Sequence, residues 1–283
     1  MSMNLGRVGV WSMEMRFGDH AAIDAAAGEL EELGYGALWI PGGIDDAVLD
    51  DIDRLLGATS RIVLATGIVN VWKQQPDDVA AWWRGLSPAH QARVCLGIGI
   101  SHGPLIGEGW QKPIAKTRGW VEAASAAGLP GEAMCVAALG PQMLALSRDL
   151  TGGAHPYLVT PDHSKVAREI LGAGKLLAPE QGVILESDPD KARALAREAL
   201  VFYTKLPNYR NNWFRLGLTE EDADTVSDRL IDALFAWGGT AQIAARVKAH
   251  HDNGADHVCI QAVTGAGLDG ARQAWRELAG ALL

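Results

Sequence analysis

Eight short apolar segments, each followed by a longer segment with helical spacing, recur along this chain of 283 residues. The apolar segments are RVGVWS, ALWI, RIVLATGIV, RVCLGIGI, MCVAAL, AHPYLV, GVILE and HVCIQAV. Their nearly continuous apolar character is typical of parallel strands that are covered on both faces. In the first helical segment, Ile23, Ala26, Leu30 and Leu33 recur every three or four residues, and Gly34 can end the helix. Eight strand–helix units favour a (β/α)8 barrel over an open, doubly wound sheet.

The region before the last apolar segment departs from this alternation. Between Glu186 and Asp256, about three helical patterns follow one another in DPDKARALAREALVFYT, TEEDADTVSDRLIDALFAW and TAQIAARVKAHHDNG. No strand is predicted among them. We therefore predict a single domain over residues 1–283, an α/β fold of the TIM barrel type, with a helical insertion before the last strand at approximately residues 186–240.

The composition excludes several kinds of partner. The formal net charge is −9, so the chain offers no basic surface for nucleic acid or for an anionic membrane. Hydrophobic residues make up 48% of the chain and charged residues 21%, which is typical of a globular protein. The three cysteines lie singly in apolar segments, and no stretch has the length of a signal peptide or a membrane span. We expect a cytoplasmic protein with reduced thiols.

The segment LGIGISHGP, residues 96–104, places glycine at every second position of a predicted core strand. Glycine in a strand usually marks the close approach of a ligand or of another backbone. Gly97 and Gly99 point to the same face, which predicts a slot for a flat ring; close packing without a ligand is the alternative. The segment does not match the dinucleotide motif GxGxxG, because the third glycine would fall at His102.

The residues that follow the other predicted strands describe the rest of the barrel mouth, where such barrels carry their catalytic groups. These residues are rich in glycine and small polar groups and poor in carboxylates, and they contain no HExxH, GxSxG or Walker pattern. Metal-dependent hydrolysis and triad chemistry are therefore disfavoured, and we predict no metal site. A phosphate-binding barrel lyase is disfavoured too, because the expected lysine and carboxylates are missing from the strand ends.

Five segments along the chain carry a resemblance to a known family. They are GYGALWIPGG, RIVLATGIVNVWKQQPDDVA, LGIGISHGPL, AALGPQML and GAHPYLVTPDH. They resemble, in order, segments of the bacterial luciferase-like superfamily, in particular its coenzyme F420-dependent oxidoreductases. The resemblance implies a (β/α)8 barrel with an insertion, commonly a homodimer, that binds a flavin or deazaflavin at the C-terminal mouth. It leaves the small-molecule substrate open.

The resemblance also implies cofactor contacts on this chain. The family's third strand often ends in a bulge with a non-proline cis peptide that supports the cofactor ring, and Gly67-Ile68 occupies that place. Asn70 would then hydrogen-bond the pyrimidine end of the ring. The turn after the fifth strand would bind the cofactor phosphate through backbone N–H groups at a helix start. Ile100 and Ser101 would border the ring, and Leu139, Gly140 and Pro141 match that turn. Two further cofactor-binding residues are predicted from the chain itself, namely Gly99 in the predicted slot and Trp72 at the end of a predicted strand.

One departure from the family concerns the proton donor. Several F420-dependent dehydrogenases have an Asp-His pair after the second strand, whereas this chain has Gly42 and Gly43. His102 falls where some family members carry an acidic donor, and His155 lies in the predicted strand AHPYLV. Both are predicted catalytic residues, because histidine titrates near neutral pH. The alternatives are a loop histidine at position 102 and a hydrogen-bonded core histidine at position 155.

Three functions follow as hypotheses. The first is an F420-dependent oxidoreductase that moves a hydride between the deazaflavin and a small organic substrate. The second is an FMN-dependent luciferase-like monooxygenase of the same fold. The third is a family member that binds a flavin or deazaflavin without catalysis, which the missing Asp-His pair suggests. The first two use the cofactor for the difficult chemistry, while the protein orients the rings and excludes water.

Overall fold

Ten parallel strands form one curled sheet in the computed structural model, which describes residues 4–43 and 45–283, with the backbone alone at positions 105 and 108. The order of the strands is β7-β6-β5-β4-β3-β2-β1-β10-β8-β9. Their bounds are β1 Val8–Trp11, β2 Ala37–Ile40, β3 Val63–Asn70, β4 Val94–Gly99, β5 Met134–Val136, β6 Gly153–Ala154, β7 Leu176–Leu177, β8 Glu180–Ile184, β9 Phe235–Trp237 and β10 Val258–Ala262.

Fourteen α-helices in the described residues connect and cover these strands. They are α1 His20–Leu33, α2 Val48–Ala58, α3 Pro76–Gly85, α4 Pro88–Gln91, α5 Gly103–Ile106, α6 Pro113–Ala126, α7 Pro141–Leu150, α8 Pro161–Leu171, α9 Pro189–Leu200, α10 Pro207–Arg215, α11 Glu220–Thr225, α12 Asp228–Leu234, α13 Thr240–Asp252 and α14 Gly267–Leu282. No helix of the described part is long and apolar enough to cross a membrane.

The sheet closes on itself because β7 and β8 are two parts of one stretch of chain. Leu176–Leu177 pairs with β6, and Glu180–Ile184 pairs with β10 on the other side. Between them, the amide of Ala178 donates to the carbonyl of Ala154 at 2.9 Å, and the carbonyl of Pro179 accepts from the amide of Cys259 at 3.0 Å. The result is an α/β barrel-like fold, as the sequence predicts.

Local signals in the sequence account for the first helix. The side chain of Asp19 caps the N-terminus of α1 by accepting from the amide of Ala22. Gly34 ends the helix with φ 98°, a left-handed conformation that glycine adopts without steric cost. Ile23, Ala26 and Leu30 are buried on the face toward the sheet, so the periodicity read from the sequence corresponds to the packed face.

Among the described residues, three buried clusters make up the core. The largest lies between the helices and the outer face of the sheet. A second, which fills the barrel interior, includes Trp39 and the three cysteines Cys95, Cys135 and Cys259, all of them free thiols. The third lies beneath α9, α10 and α12 and includes Trp213.

The structure corrects the predicted elements at several points. Ten strands replace the predicted eight, because Leu176–Leu177 and Phe235–Trp237 are also paired. The sequence predicts that the segment FAW continues a helix, since its three residues extend a helical period without a break. AHPYLV was predicted as a strand throughout, but the strand ends at Ala154, and the chain then turns through Leu158, which has φ 53°. Helices α9 to α12 lie between β8 and β9.

Candidate active site

A cavity of about 440 Å³ opens at the C-terminal ends of the strands. Residues at or directly after β1, β2, β3, β4 and β5 form its floor and one side, and the segment from Phe202 to Arg215 forms the other side. Its volume lies within the range of small-molecule and cofactor sites. Of the predicted site residues, the cavity wall includes Gly67, Ile68, Gly99, Ile100, Ser101, His102, Leu139, Gly140 and His155.

A bulge in β3 shapes the floor of the cavity. The pairing of β3 with β4 shifts between Gly67 and Val69, so Ile68 is left out of the register. The peptide bond between Gly67 and Ile68 is cis, as the family resemblance implies. The side chain of Ile68 lies over β4, where a Cβ atom added to Gly99 would be 2.5 Å from Ile68 Cγ1. Glycine at position 99 therefore makes room for Ile68 at the cavity floor.

Gly97 does not contribute to a slot for a ligand. A Cβ atom at this position would collide with the carbonyl oxygen of Thr66 in the neighbouring strand. Gly97 is also absent from the described cavity wall. Of the two glycines predicted to clear space for a flat ring, Gly97 thus permits close strand packing, and Gly99 accommodates Ile68.

The bulge also accounts for the two glycines after β2. A Cβ atom on Gly42 would collide with the carbonyl oxygen of Ile68. Gly43 has φ 83°, which disfavours residues with a side chain. Both glycines line the cavity. The absence of an Asp-His pair at this position therefore has a local cause, because the backbone of the bulge occupies the space that the first side chain would need.

Asn70, Trp72 and Pro141 lie just outside the cavity wall. Asn70 Oδ1 accepts from the amide of Trp72 at 3.0 Å, whereas Asn70 Nδ2 is buried and has no hydrogen-bond partner in the described structure. Nδ2 lies 3.5 Å from the Cβ position of Gly43, which lines the cavity. Trp72 Nε1 donates to the carbonyl of Ile100 at 2.8 Å, so this indole holds the end of β4. Pro141 is the first residue of α7 and is exposed.

The chain turns sharply after β4 to bring His102 to the cavity. Ser101 has φ 60°, which is uncommon for a residue with a side chain and recurs at functional sites. Burial lowers the pKa of His102, and a hydrogen bond with Asn208 partly offsets this effect. His102 is therefore neutral at pH 7. Its Nδ1 is buried and has no partner in the described structure, so it is free to hydrogen-bond a ligand.

His155 lies deeper, at the junction of the cavity and the barrel interior. Its ring stacks on Trp39 with centroids 4.1 Å apart, and its Nδ1 donates to the carbonyl of Ala178 at 2.8 Å. Nε2 lies 3.3 Å from the Cβ position of Gly67 and carries the free lone pair. Burial lowers the pKa of His155 to about 4, which makes it a weak base at neutral pH.

The loop after β6 carries His155 and Tyr157 and is held on both sides of Leu158. The amide of Leu158 donates to Glu180 Oε2 at 3.1 Å, and its carbonyl accepts from Trp213 Nε1 at 3.1 Å. Glu180 is almost fully buried, which raises its pKa to about 8. It is therefore mainly protonated at neutral pH.

A second set of lining residues comes from α10 and was not predicted. Asn208, Asn211 and Arg215 line the cavity at spacings of three and four residues, so they share one face of this helix. Arg215 Nη2 lies 3.2 Å from the Cβ position of Gly140, and Arg215 Nη1 donates to Asn212 Oδ1 at 3.3 Å. Arg215 forms no ion pair within the described structure. It is the one side chain of the described cavity wall with a full charge at neutral pH.

The start of α7 adds to the positive potential beside Arg215. Gly140 is the N-cap of this ten-residue helix, and no side chain caps its first N–H groups. The first turn of α7 also contains no acidic residue. Free N–H groups and the positive end of the helix dipole favour an anion at such a position. The cationic end of the cavity is therefore defined by Gly140 and Arg215.

An aromatic wall, which we define as Trp11, Tyr157, Phe202, Tyr203 and Tyr209, forms another part of the cavity. Its rings touch in series, with centroids 5.5 Å apart for Trp11 and Tyr157, 5.5 Å for Tyr157 and Tyr203, and 5.2 Å for Tyr203 and Tyr209. His102 lies beside it, 5.6 Å from the ring of Tyr209. Burial raises the pKa values of the three tyrosines, so they stay neutral phenols.

Most of these additional residues lie in the helical segment between β8 and β9. Reasoning from strand ends identifies Gly140 and His102 but gives no reason to inspect this segment. The signal that could have found them is NYRNNWFR, whose polar residues at positions 208, 211 and 215 recur on one helix face.

Comparisons with known proteins agree with this fold. No family model matches the chain. The chain is 25% identical to a 5,10-methylenetetrahydromethanopterin reductase of Archaeoglobus fulgidus, in an alignment that covers 75% of each protein. Its structure is similar to that of an F420-dependent secondary alcohol dehydrogenase in complex with an F420-acetone adduct, with a TM-score of 0.73, 15% identity and coverage of 100% of both chains.

Two further solved structures extend the comparison to both cofactor classes. The coenzyme F420-dependent tetrahydromethanopterin reductase of Methanopyrus kandleri has a TM-score of 0.70 and 14% identity, covering 98% of this chain and 99% of that one. The FMN complex of the oxygenating constituent of 3,6-diketocamphane monooxygenase from Pseudomonas putida has a TM-score of 0.67 and 15% identity, covering 100% and 99%. Together these findings confirm the resemblance of the chain to the bacterial luciferase-like superfamily and its F420-dependent oxidoreductases.

Proposed function

We propose that this protein is an F420-dependent oxidoreductase that transfers a hydride between the deazaflavin and a small organic substrate. The observation that carries the proposal is a cavity with a cationic end at Gly140 and Arg215 and a neutral, aromatic end around His102. A cofactor with a flat ring and a phosphate needs both environments in one cavity. The relatives and structural neighbours that bind or use F420 support the choice of cofactor.

Several unpaired polar groups fit such a cofactor. Asn70 Nδ2 is buried without a partner beside Gly43 and would donate to the pyrimidine end of the ring. Ile68 would support the ring from below, with Ile100 and Ser101 at its border. The uncapped N–H groups of α7 and the guanidinium of Arg215 would hold the phosphate.

The bound deazaflavin would supply the carbon that donates or accepts the hydride. The protein would orient the substrate and provide the proton. His102 is the better candidate for proton transfer, because it lines the cavity and its Nδ1 has no hydrogen-bond partner in the described structure. His155 would act as a hydrogen-bond acceptor at Nε2, since a pKa of about 4 leaves it unprotonated. The aromatic wall would exclude water from the reacting atoms.

An FMN-dependent monooxygenase is the alternative function, and a non-catalytic flavin- or deazaflavin-binding protein is a third. The similarity to an FMN-bound monooxygenase supports the second function. Its phosphate would use the same cationic end, so the geometry of that end is compatible with either cofactor.

Titration of the purified protein with F420 and with FMN tests the proposal. We expect F420 to bind at least about tenfold more tightly, a difference of about 1.4 kcal/mol. Hydride transfer is then followed as the change in F420 absorbance when candidate alcohols and carbonyl compounds are added. Equal affinities, or a preference for FMN, would favour the monooxygenase. Tight F420 binding without turnover of any candidate would favour the non-catalytic protein.

Two further proposals concern organisation. We propose that α9 to α12 form the insertion predicted at residues 186–240, which here supplies the cationic Arg215 and part of the aromatic wall. We also propose a homodimer, as the resemblance implies; sedimentation equilibrium of the purified protein would measure its mass.

A further inference from the structure

We propose that the aromatic wall and His102 form the substrate subsite, and that this subsite selects an uncharged cyclic molecule with one polar group. The inference rests on the proposed function, because it assigns the cationic end to the cofactor. It goes beyond that function by naming the chemical class of the substrate.

The charges of the cavity wall favour an uncharged ligand at the aromatic wall. Among the described cavity wall residues, Arg215 alone is charged at neutral pH, and no carboxylate faces the cavity. Asn208, which contacts His102, lies seven residues before Arg215 on α10. The guanidinium of Arg215 lies against Gly140, 3.2 Å from its Cβ position, whereas His102 contacts Asn208 and the rings of Phe202 and Tyr209, all of them uncharged. A carboxylate, phosphate or ammonium group buried at the aromatic end would have no countercharge, which is costly. The subsite therefore favours an uncharged ligand.

The ring of Phe202 in the aromatic wall favours a cyclic ligand. The ring of Phe202 meets that of Tyr203 edge to face, with centroids 5.4 Å apart and an angle of 80° between the planes. Phe202 is nevertheless 44% exposed, although it lines the cavity. Its partners on the protein thus leave part of this ring uncovered. Exposed aromatic surface of this kind is best buried against another ring or an alicyclic face. A cyclic ligand is therefore favoured over a linear polar one.

One polar group of the ligand has a defined partner. Buried His102 Nδ1 has no hydrogen-bond partner in the described structure and lies in the ring that faces Phe202, with centroids 6.4 Å apart. A neutral imidazole nitrogen can donate to a carbonyl oxygen or accept from a hydroxyl, depending on the tautomer. The same ligand can therefore place its ring against Phe202 and its oxygen at His102.

A matched pair of ketones tests this assignment. 4-Phenylcyclohexanone and 4-(4-oxocyclohexyl)benzoate differ by one carboxylate. Calorimetric titration of the F420-saturated protein at pH 7.5 should show at least about tenfold tighter binding of the uncharged ketone. Equal affinity, tighter binding of the benzoate, or no binding of either ketone up to its solubility limit would overturn the inference.

Variants locate the binding to the aromatic wall. Phe202→Ala should weaken binding of 4-phenylcyclohexanone by about tenfold, because the ketone loses the ring against which it packs. Its F420 affinity should be unchanged. Val201→Ala is the matched control, since Val201 is the adjacent exposed apolar residue, 47% exposed, and lies outside the described cavity wall. Unchanged ketone affinity in Phe202→Ala would exclude the aromatic wall as the subsite.

The experiment separates this inference from the proposed function. F420 affinity is measured first, without any ketone, and its failure would count against the proposed function. In that case the ketones are titrated into the Arg215→Gln variant without F420, because this substitution removes the charge of the cationic end. A preference for the uncharged ketone that Phe202→Ala abolishes would still support the subsite. No preference would overturn it.

Discussion

His102 lies between the aromatic wall and the residues that follow β4, and its unpaired Nδ1 suits it to proton transfer. Replacement by alanine should lower turnover by about 10²- to 10⁴-fold, because a general acid or base acts in the transition state. F420 affinity should change less than about threefold, since no cofactor contact is assigned to this side chain. Turnover is measured with reduced F420 and an artificial electron acceptor.

The matched control for His102 is His20→Ala, an exposed histidine at the start of α1 that should leave turnover unchanged. Because burial lowers the pKa of His102, a reaction that needs the neutral imidazole should retain its rate from pH 8 to below pH 6.5 and then decline. Full activity of His102→Ala from pH 5 to 8 would make it a loop residue and direct attention to His155 or water.

Gly99 and Ile68 form a tightly fitted pair at the cavity floor. A side chain at position 99 must displace Ile68, whose Cγ1 lies 2.5 Å from the Cβ position. We expect Gly99→Leu to weaken F420 binding by more than about tenfold, because the displaced side chain enters the space of the ring. Gly57→Leu is the control, since nothing lies within 4 Å of that Cβ position. Near-normal F420 affinity with unchanged circular dichroism would exclude Ile68 as the ring support.

At the scale of elements, α10 and the start of α7 together form the cationic end. Arg215→Gln removes the charge but keeps hydrogen-bonding groups, so it should weaken binding of F420 and FMN by about tenfold. Binding of riboflavin, which lacks the phosphate, should stay the same. Arg210→Gln is the matched control on the same helix, because Arg210 pairs with Asp224 and Glu220. Equal losses for FMN and riboflavin would mean that Arg215 contacts the ring or shapes the helix.

Sequence patterns predict the strands of this fold better than its cavity. ALWI predicts a strand at the observed bounds of β2, because a continuous apolar run is typical of a strand buried on both faces. The predicted strand at AHPYLV ends after Ala154. Farther along, Leu158 adopts a positive φ, which is stabilised by long-range hydrogen bonds that its amide donates to Glu180 and its carbonyl accepts from Trp213. Such long-range hydrogen bonds leave no periodic trace in the local sequence.

The same distinction applies to the candidate site. The strand-end rule leads to His102 and Gly140, because every parallel strand of a barrel points to the same mouth. It cannot lead to Arg215, which reaches this mouth only through the folding of α10 against the loop after β6. The helical period of that segment predicts a helix but not the surface on which it packs.

At the scale of the whole molecule, the barrel interior holds several titratable groups away from water. His155 and His257 lie in or next to the cluster around Trp39, and Trp39 Nε1 donates to His257 Nε2 at 3.2 Å. His250, on the buried face of α13, hydrogen-bonds Ser164 and Gln181. Burial favours the neutral form of each histidine, so protonation of any of them destabilises the folded protein.

These groups predict a maximum in stability near neutral pH. Burial lowers the pKa of His155 and His257 to about 4 and that of His250 to about 3. Below the unfolded value of 6.5, the unfolded chain binds more protons than the folded protein, so stability is present above this pH and is lost as the pH falls toward 4. Each such proton contributes at most about 1.4 kcal/mol per pH unit to the slope of the unfolding free energy against pH.

Glu180 acts in the opposite direction, and Glu180→Gln isolates its effect. Because burial raises its pKa from 4.5 to about 8, the folded protein binds the extra proton between these values, and stability falls as the pH rises through them. Urea unfolding from pH 5 to 9 should therefore give a maximum near about pH 6 to 7. Glutamine still offers an oxygen to the amide of Leu158 but does not titrate, so the variant should lose the decline between pH 6.5 and 8 while keeping the histidine-dependent decline at lower pH. If the unfolding free energy of this variant still declines at alkaline pH, other groups cause the decline, and Glu180 is not a buried, protonated carboxyl in the folded protein.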